Sequence, residues 1–117
     1  MISGMSNTVS ALTALGKKMG VTANNVANAN SDGFKKSRAI LQEGAAGGVD
    51  VEITRVESPG PLVTEQTTEG HETKELSNVT LEEEIPQALL TEKLFAANTK
   101  VLQVEEEMIG SVLDIVG

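Results

Sequence analysis

Residues 2–26, ISGMSNTVSALTALGKKMGVTANNV, decide how this chain folds. Ile2, Met5, Val9, Leu12, Gly16, Met19, Ala23 and Val26 recur at spacings of 3-4-3-4-3-4-3. That is an a/d heptad seam, the pattern of a helix that packs against another helix. The side chains shrink at Gly16 and Ala23, where two backbones can approach closely. Leu15 and Val21 lie off the seam and widen the apolar face. The spacing predicts a helix from about residue 3 to about residue 28, a rod of roughly 40 Å at 1.5 Å per residue.

The helix runs into Asn24, Asn25, Asn28 and Asn30. Asn has modest helix propensity and accepts the conformations found at helix C-termini. Ser31-Asp32-Gly33 is a turn signal, with Gly33 tolerating a positive φ. Phe34 follows, then the short basic cluster Lys35, Lys36 and Arg38. Residues 44–48 read as a flexible glycine-rich connector. Val49 to Ile53 alternates apolar and acidic residues, the period-2 mark of a half-buried strand. Ser58-Pro59-Gly60-Pro61 reads as a turn, and Leu62 to Thr68 as the return strand of one hairpin. Residues 69–76 read as polar and irregular.

A second long helix is expected over residues 81–116. Thr80 and Glu83 have capping-box spacing. Leu81, Ile85, Ala88, Phe95, Leu102, Ile109, Leu113 and Val116 form one stripe, interrupted at Glu92 and Thr99. Leu90, Leu94, Ala97, Val101, Val104, Met108, Val112 and Ile115 form a second. Two adjacent stripes are too wide for one partner helix and call for neighbours on more than one side. Pro86 is expected to bend this helix or delay its start. The fold class is therefore mainly α: long N- and C-terminal helices forming an α-helical coiled coil, with a small β-hairpin connector.

Composition narrows the function. The 117 residues include no Cys, one His and two Phe, with neither Trp nor Tyr. Thiolate chemistry and Cys-based zinc sites are excluded, and His71 sits in a polar stretch as a solvated loop residue. A net charge of −8 and the lack of aromatic platforms argue against nucleic acid. No apolar run approaches a membrane span, and Met1 to Gly16 is no Sec signal. No catalytic set, small-molecule site, metal site or cofactor site is read. Residues 1–44 carry net +3 and residues 45–117 net −11. Opposite signs at the two ends can guide one end onto the other, within a chain or between chains.

Ala23 through Lys36 (ANNVANANSDGFKK) resembles the N-terminal signature of the bacterial flagellar rod and hook axial proteins. Leu76 to Val79, Glu83-Glu84, Phe95 to Val101 and Glu107 to Ile115 resemble that family's C-terminal helix. The small middle segment makes the chain most like a short proximal-rod subunit. The resemblance implies a structural subunit whose terminal helices pack into a tube that transmits torque and houses the export channel. It implies other copies and other rod proteins as partners, delivery by the flagellar type III export apparatus without a cleaved signal, and a place in the periplasmic rod of the basal body. The implied regions are 1–34, the N-terminal rod helix and turn; 35–76, the linker; and 77–117, the C-terminal rod helix. Carried over by position, Asn24, Asn25, Asn28, Gly33, Phe34, Asn78, Asn98 and Lys100 are candidate subunit-interface residues. Ile2, Met5, Val9, Leu12, Met19, Val26, Leu94, Phe95, Val101, Leu102, Met108 and Ile109 join them from the apolar stripes. A stand-alone helical adaptor or chaperone-like module forming a discrete oligomer fits the same two helices.

Overall fold

The computed structural model describes residues 2–117, with side chains from residue 3 onward. Both long helices are present: α1 spans Ile2–Ala27 and α2 spans Leu81–Val116. They run antiparallel. Asn25, near the end of α1, reaches Glu84 at the start of α2, and Thr8 reaches Glu105 far along it. The result is an elongated body of 81 × 25 × 17 Å.

Local chemistry ends α1. The Asn28 N–H turns back to the carbonyls of Asn24 and Asn25, both at 3.1 Å. Beyond it, the Phe34 N–H closes a turn onto the Ser31 carbonyl at 3.2 Å, with Gly33 at φ 69°. A side chain at that φ is strained, so the turn selects glycine.

The connector differs from the single hairpin expected. β1 (Ser37–Glu43) pairs antiparallel with β2 (Val49–Arg55), and β3 (Leu62–Thr67) with β4 (Gly70–Glu75). The glycine-rich stretch is thus a hairpin turn, with Gly47 at φ 83° and Gly48 at φ 78°. Val49–Ile53 pairs backwards with β1, not forwards with residues 62–68. Pro59 and Pro61 explain why: neither has an N–H to give a ladder, so the segment between β2 and β3 crosses over. Residues 70–75, expected to be irregular, form β4. Residues 61–73 are all exposed, so neither face of this hairpin needs apolar residues, and no period-2 signal marks it.

Two expectations at the start of α2 are also corrected. Thr80 makes no side-chain cap, and the Glu83 carboxylate takes the Lys36 ammonium at 2.9 Å instead. Pro86 does not delay the helix, which begins at Leu81. Pro86 lies near the start of α2, where its missing N–H costs one hydrogen bond, and its ring is exposed.

The helices meet along a line other than the apolar seam. Buried on α1 are Thr8, Ala14, Leu15, Thr22 and Asn25; buried on α2 are Glu84 and Thr91. Half of the apolar seam lies one residue further on, about 100° around the helix, and the other half flanks the buried line. Val9, Gly16 and Ala23 are exposed there, while Met5, Leu12, Met19 and Val26 are half-buried; the Ile2 side chain lies outside the described residues. The azimuth of α1 is set by the β1–β2 hairpin, which packs on it. Ser10 Oγ accepts the Val49 N–H at 2.9 Å, and Ala14 lies beside Val49 and Val51.

Candidate assembly site

Two features carry what this chain can do: a polar junction that ties its two halves together, and apolar helix faces left open to solvent.

The junction is built from the Asn-rich end of α1. Asn25 is 2% exposed. Its Nδ2 donates to the Ser37 carbonyl at 2.7 Å and its Oδ1 accepts the Ser37 N–H at 3.0 Å. The same Nδ2 lies 3.4 Å from Glu84 Oε2. Asn78 repeats the device from the other half of the chain. Its Oδ1 accepts the Lys36 N–H at 2.7 Å, and its Nδ2 donates to the carbonyls of Val56 and Ser58, both at 2.9 Å. Its own N–H reaches the Phe34 carbonyl at 3.2 Å. Each amide thus satisfies backbone groups that no ladder serves, most of them part-buried.

Ion pairs frame the junction. Lys36, buried along its stem, bonds Glu83, and Lys35 bonds Glu75. Lys74 bridges Glu65 and Asp32, each at 3.1 Å. The Lys36 hydrogen bond, with its charge and that of Arg38, holds the Glu83 carboxyl below its ordinary value. The Lys35 hydrogen bond and the Gly60 N–H do the same for Glu75. The Glu65 and Asp32 carboxylates raise Lys74.

Several sequence-derived positions serve internal structure. Asn25, Asn78 and Gly33 belong to the junction and its turn. Asn28 Nδ2 bonds the Asn24 carbonyl at 2.9 Å, and Asn98 Nδ2 bonds the Leu94 carbonyl at 2.8 Å. Phe34 is half-buried, as are Leu102 and Ile109, while Asn24 and Lys100 are exposed. Lys36, Glu83, Glu84, Thr22 and Thr91 also hold the junction and the helix contact, and neither apolar stripe contains them. The repeat Thr8, Leu15, Thr22 at intervals of seven was the available signal, hidden by its polarity.

The open faces are large. Leu90, Leu94, Val101, Val104 and Met108 on α2 are 40–50% exposed. Phe95 is exposed as well, and the terminal Leu113, Ile115 and Val116 are more so. An apolar strip of this length marks an interaction surface.

A family model described as "Flagella basal body rod protein" matches residues 5–35. Over these residues the chain is similar to the flagellar basal-body rod family. The match covers α1 from Met5 onward, the Asn-rich end with Asn25, and the Gly33 turn, and stops before the rest of the junction. The family is one of structural flagellar proteins. No curated protein matches the chain. No helix among the described residues is long and apolar enough to cross a membrane.

Proposed function

We propose that the chain is a structural subunit of the flagellar rod that polymerises through its terminal helices. The observation that carries this reading is the uncovered apolar strip of α2 from Leu90 to Met108, facing away from the chain's own α1. Regions 1–34 and 77–117 act as the packing helices, and region 35–76 as the outward-facing part. The strip of α2 meets the Met5-Val9-Leu12 face of a neighbour's α1, and the positive N-terminal third meets the negative remainder. Because donor and acceptor faces lie on different helices, the contact is heterologous and builds an open helical tube. The tube transmits torque, surrounds the export channel and stands in the periplasm. Its subunits arrive through the type III export apparatus without cleavage. Other rod proteins cover the ends of the stack.

The test is co-purification. Quantitative mass spectrometry of isolated hook–basal bodies is expected to find the chain at a fixed ratio to a known rod component. L94E/V101E is expected to leave the fold of the isolated chain intact and abolish that enrichment. A wild-type chain expressed in flagellated cells but absent from the basal bodies overturns the rod reading in favour of a soluble helical adaptor.

A further inference from the structure

Val9, Gly16, Gly20 and Ala23 form an exposed line along α1, and a Cβ at either glycine meets nothing within 4 Å. On α2, Ile115, Met108, Val104 and Val101 are exposed and repeat the same intervals in the opposite chain direction. Because α1 and α2 are antiparallel within the chain, two copies pointing the same way set α1 of one antiparallel to α2 of the other. The two lines then match residue for residue: Val9 on Ile115, Gly16 on Met108, Gly20 on Val104 and Ala23 on Val101. Large side chains on one helix meet small ones on the other, which lets the backbones approach closely.

A heptad line also fits one heptad away, so shape alone leaves several registers, and flanking charges choose among them. Lys17 is exposed and holds no ion pair among the described residues. It flanks the α1 line on the side that, in an antiparallel pair, faces Thr91, Asn98 and Glu105. Level copies set Lys17 beside Thr91, a shift of one heptad beside Asn98, and a shift of two beside Glu105. Glu105 is the one carboxylate of the three. Its Oε1 takes the Thr8 hydroxyl at 3.3 Å, and its Oε2 has no hydrogen-bond partner among the described residues. The end of α2 points to the same register. Thr8 stands level with Glu105, so the last turns of α2 outrun the start of α1, and Leu113, Ile115 and Val116 are 65–85% exposed there. A copy shifted toward that end lays its own α1 over them.

From these matches we infer that the next copy docks its α1 on this α2 two heptads, roughly 20 Å, toward the α2 C-terminus, with its Lys17 at Glu105. The heptad match fixes which faces meet, and the Lys17–Glu105 pair fixes the offset. The inference rests on the rod reading for one point, that copies stack in a common direction.

Paired cysteines test it, since the chain has no Cys of its own. Within one chain Val9 and Ile115 are too far apart along the helices to be bridged, so a linked species joins two copies. V9C/I115C, oxidised in isolated basal bodies, is expected to give a ladder of linked copies. V9C/M108C and V9C/V101C mark the two other registers and are expected to give at least tenfold less. K17E is expected to weaken the V9C/I115C ladder at least tenfold, and K17E/E105K to restore it. An equal or stronger ladder from either other pair overturns the register, and that comparison stands even where a charge variant fails to fold. A ladder unchanged by K17E overturns the Lys17–Glu105 pair. Absence of the chain from basal bodies counts against the rod reading. The same cysteine pairs are then oxidised in the concentrated purified chain, where failure of V9C/I115C to exceed the others overturns the register by itself.

Discussion

The Asn25 side chain pairs with the backbone of Ser37 as a neighbouring strand would, donating to its carbonyl at 2.7 Å and accepting its N–H at 3.0 Å. One amide thereby caps the first strand of the connector and fixes the end of α1 beside the start of α2.

Removing that amide exposes its worth. Asn25→Ala leaves both Ser37 groups without their partner in a part-buried place and is expected to cost about 1–3 kcal/mol, read as a fall in the urea midpoint. Asn25→Asp keeps the acceptor but loses the donor and sets a second carboxylate beside Glu84. It is expected to destabilise at least as much at neutral pH.

Gly60 is constrained by packing. A Cβ there would stand 2.1 Å from the Leu76 carbonyl oxygen, which is backbone and cannot swing aside. Gly60→Ala is expected to displace the base of the β3–β4 hairpin, where Leu76 N–H meets the Pro61 carbonyl at 2.8 Å. Limited proteolysis should then cut within residues 56–76 markedly faster than in the wild type, with the helical circular dichroism signal little changed.

Gly16 and Gly20 separate the lone chain from the assembled one. A Cβ at either meets nothing within 4 Å, so alanine is expected to stabilise α1 by about 0.5–1 kcal/mol per site. Under the proposed function a neighbouring helix approaches this face closely, and G16A/G20A is expected to raise the melting temperature while lowering incorporation into basal bodies. A variant that melts higher and assembles normally places the close approach elsewhere.

Stability is expected to depend on pH at both extremes. Glu75 and Glu83 are held below their ordinary 4.5 in the folded chain, chiefly by the Lys35 and Lys36 hydrogen bonds. Their contribution is present above about pH 4.5 and is lost as pH falls through the lower folded values. Lys74 is raised above its ordinary 10.5 by Glu65 and Asp32, so its contribution is present below about pH 10.5 and lost as pH rises through the folded value. A melting-temperature profile should be flat between these windows and fall on either side. Lys35→Met and Lys36→Met should shallow the acid limb, and Lys74→Met the alkaline one.

The sequence by itself determined the two helices, because their periodicity is local: Met5, Val9, Leu12 and Leu94, Val101, Met108 repeat at helical spacing whatever surrounds them. It determined the Gly33 turn for the same reason, since a positive φ restricts the residue type. The tertiary structure decided which helix faces meet. Asn25–Ser37 and Ser10–Val49 join positions far apart in the chain and set the rotation of α1, so the Thr8-Leu15-Thr22 line turns inward while Val9, Gly16 and Ala23 of the apolar seam face outward. It also decided the strand pairing. β3 and β4 bury no face and carry no alternation, and they are held at their base by Lys35–Glu75 and Lys74–Asp32. Burial writes a periodic pattern into a sequence, whereas hydrogen bonds and ion pairs between distant residues leave none.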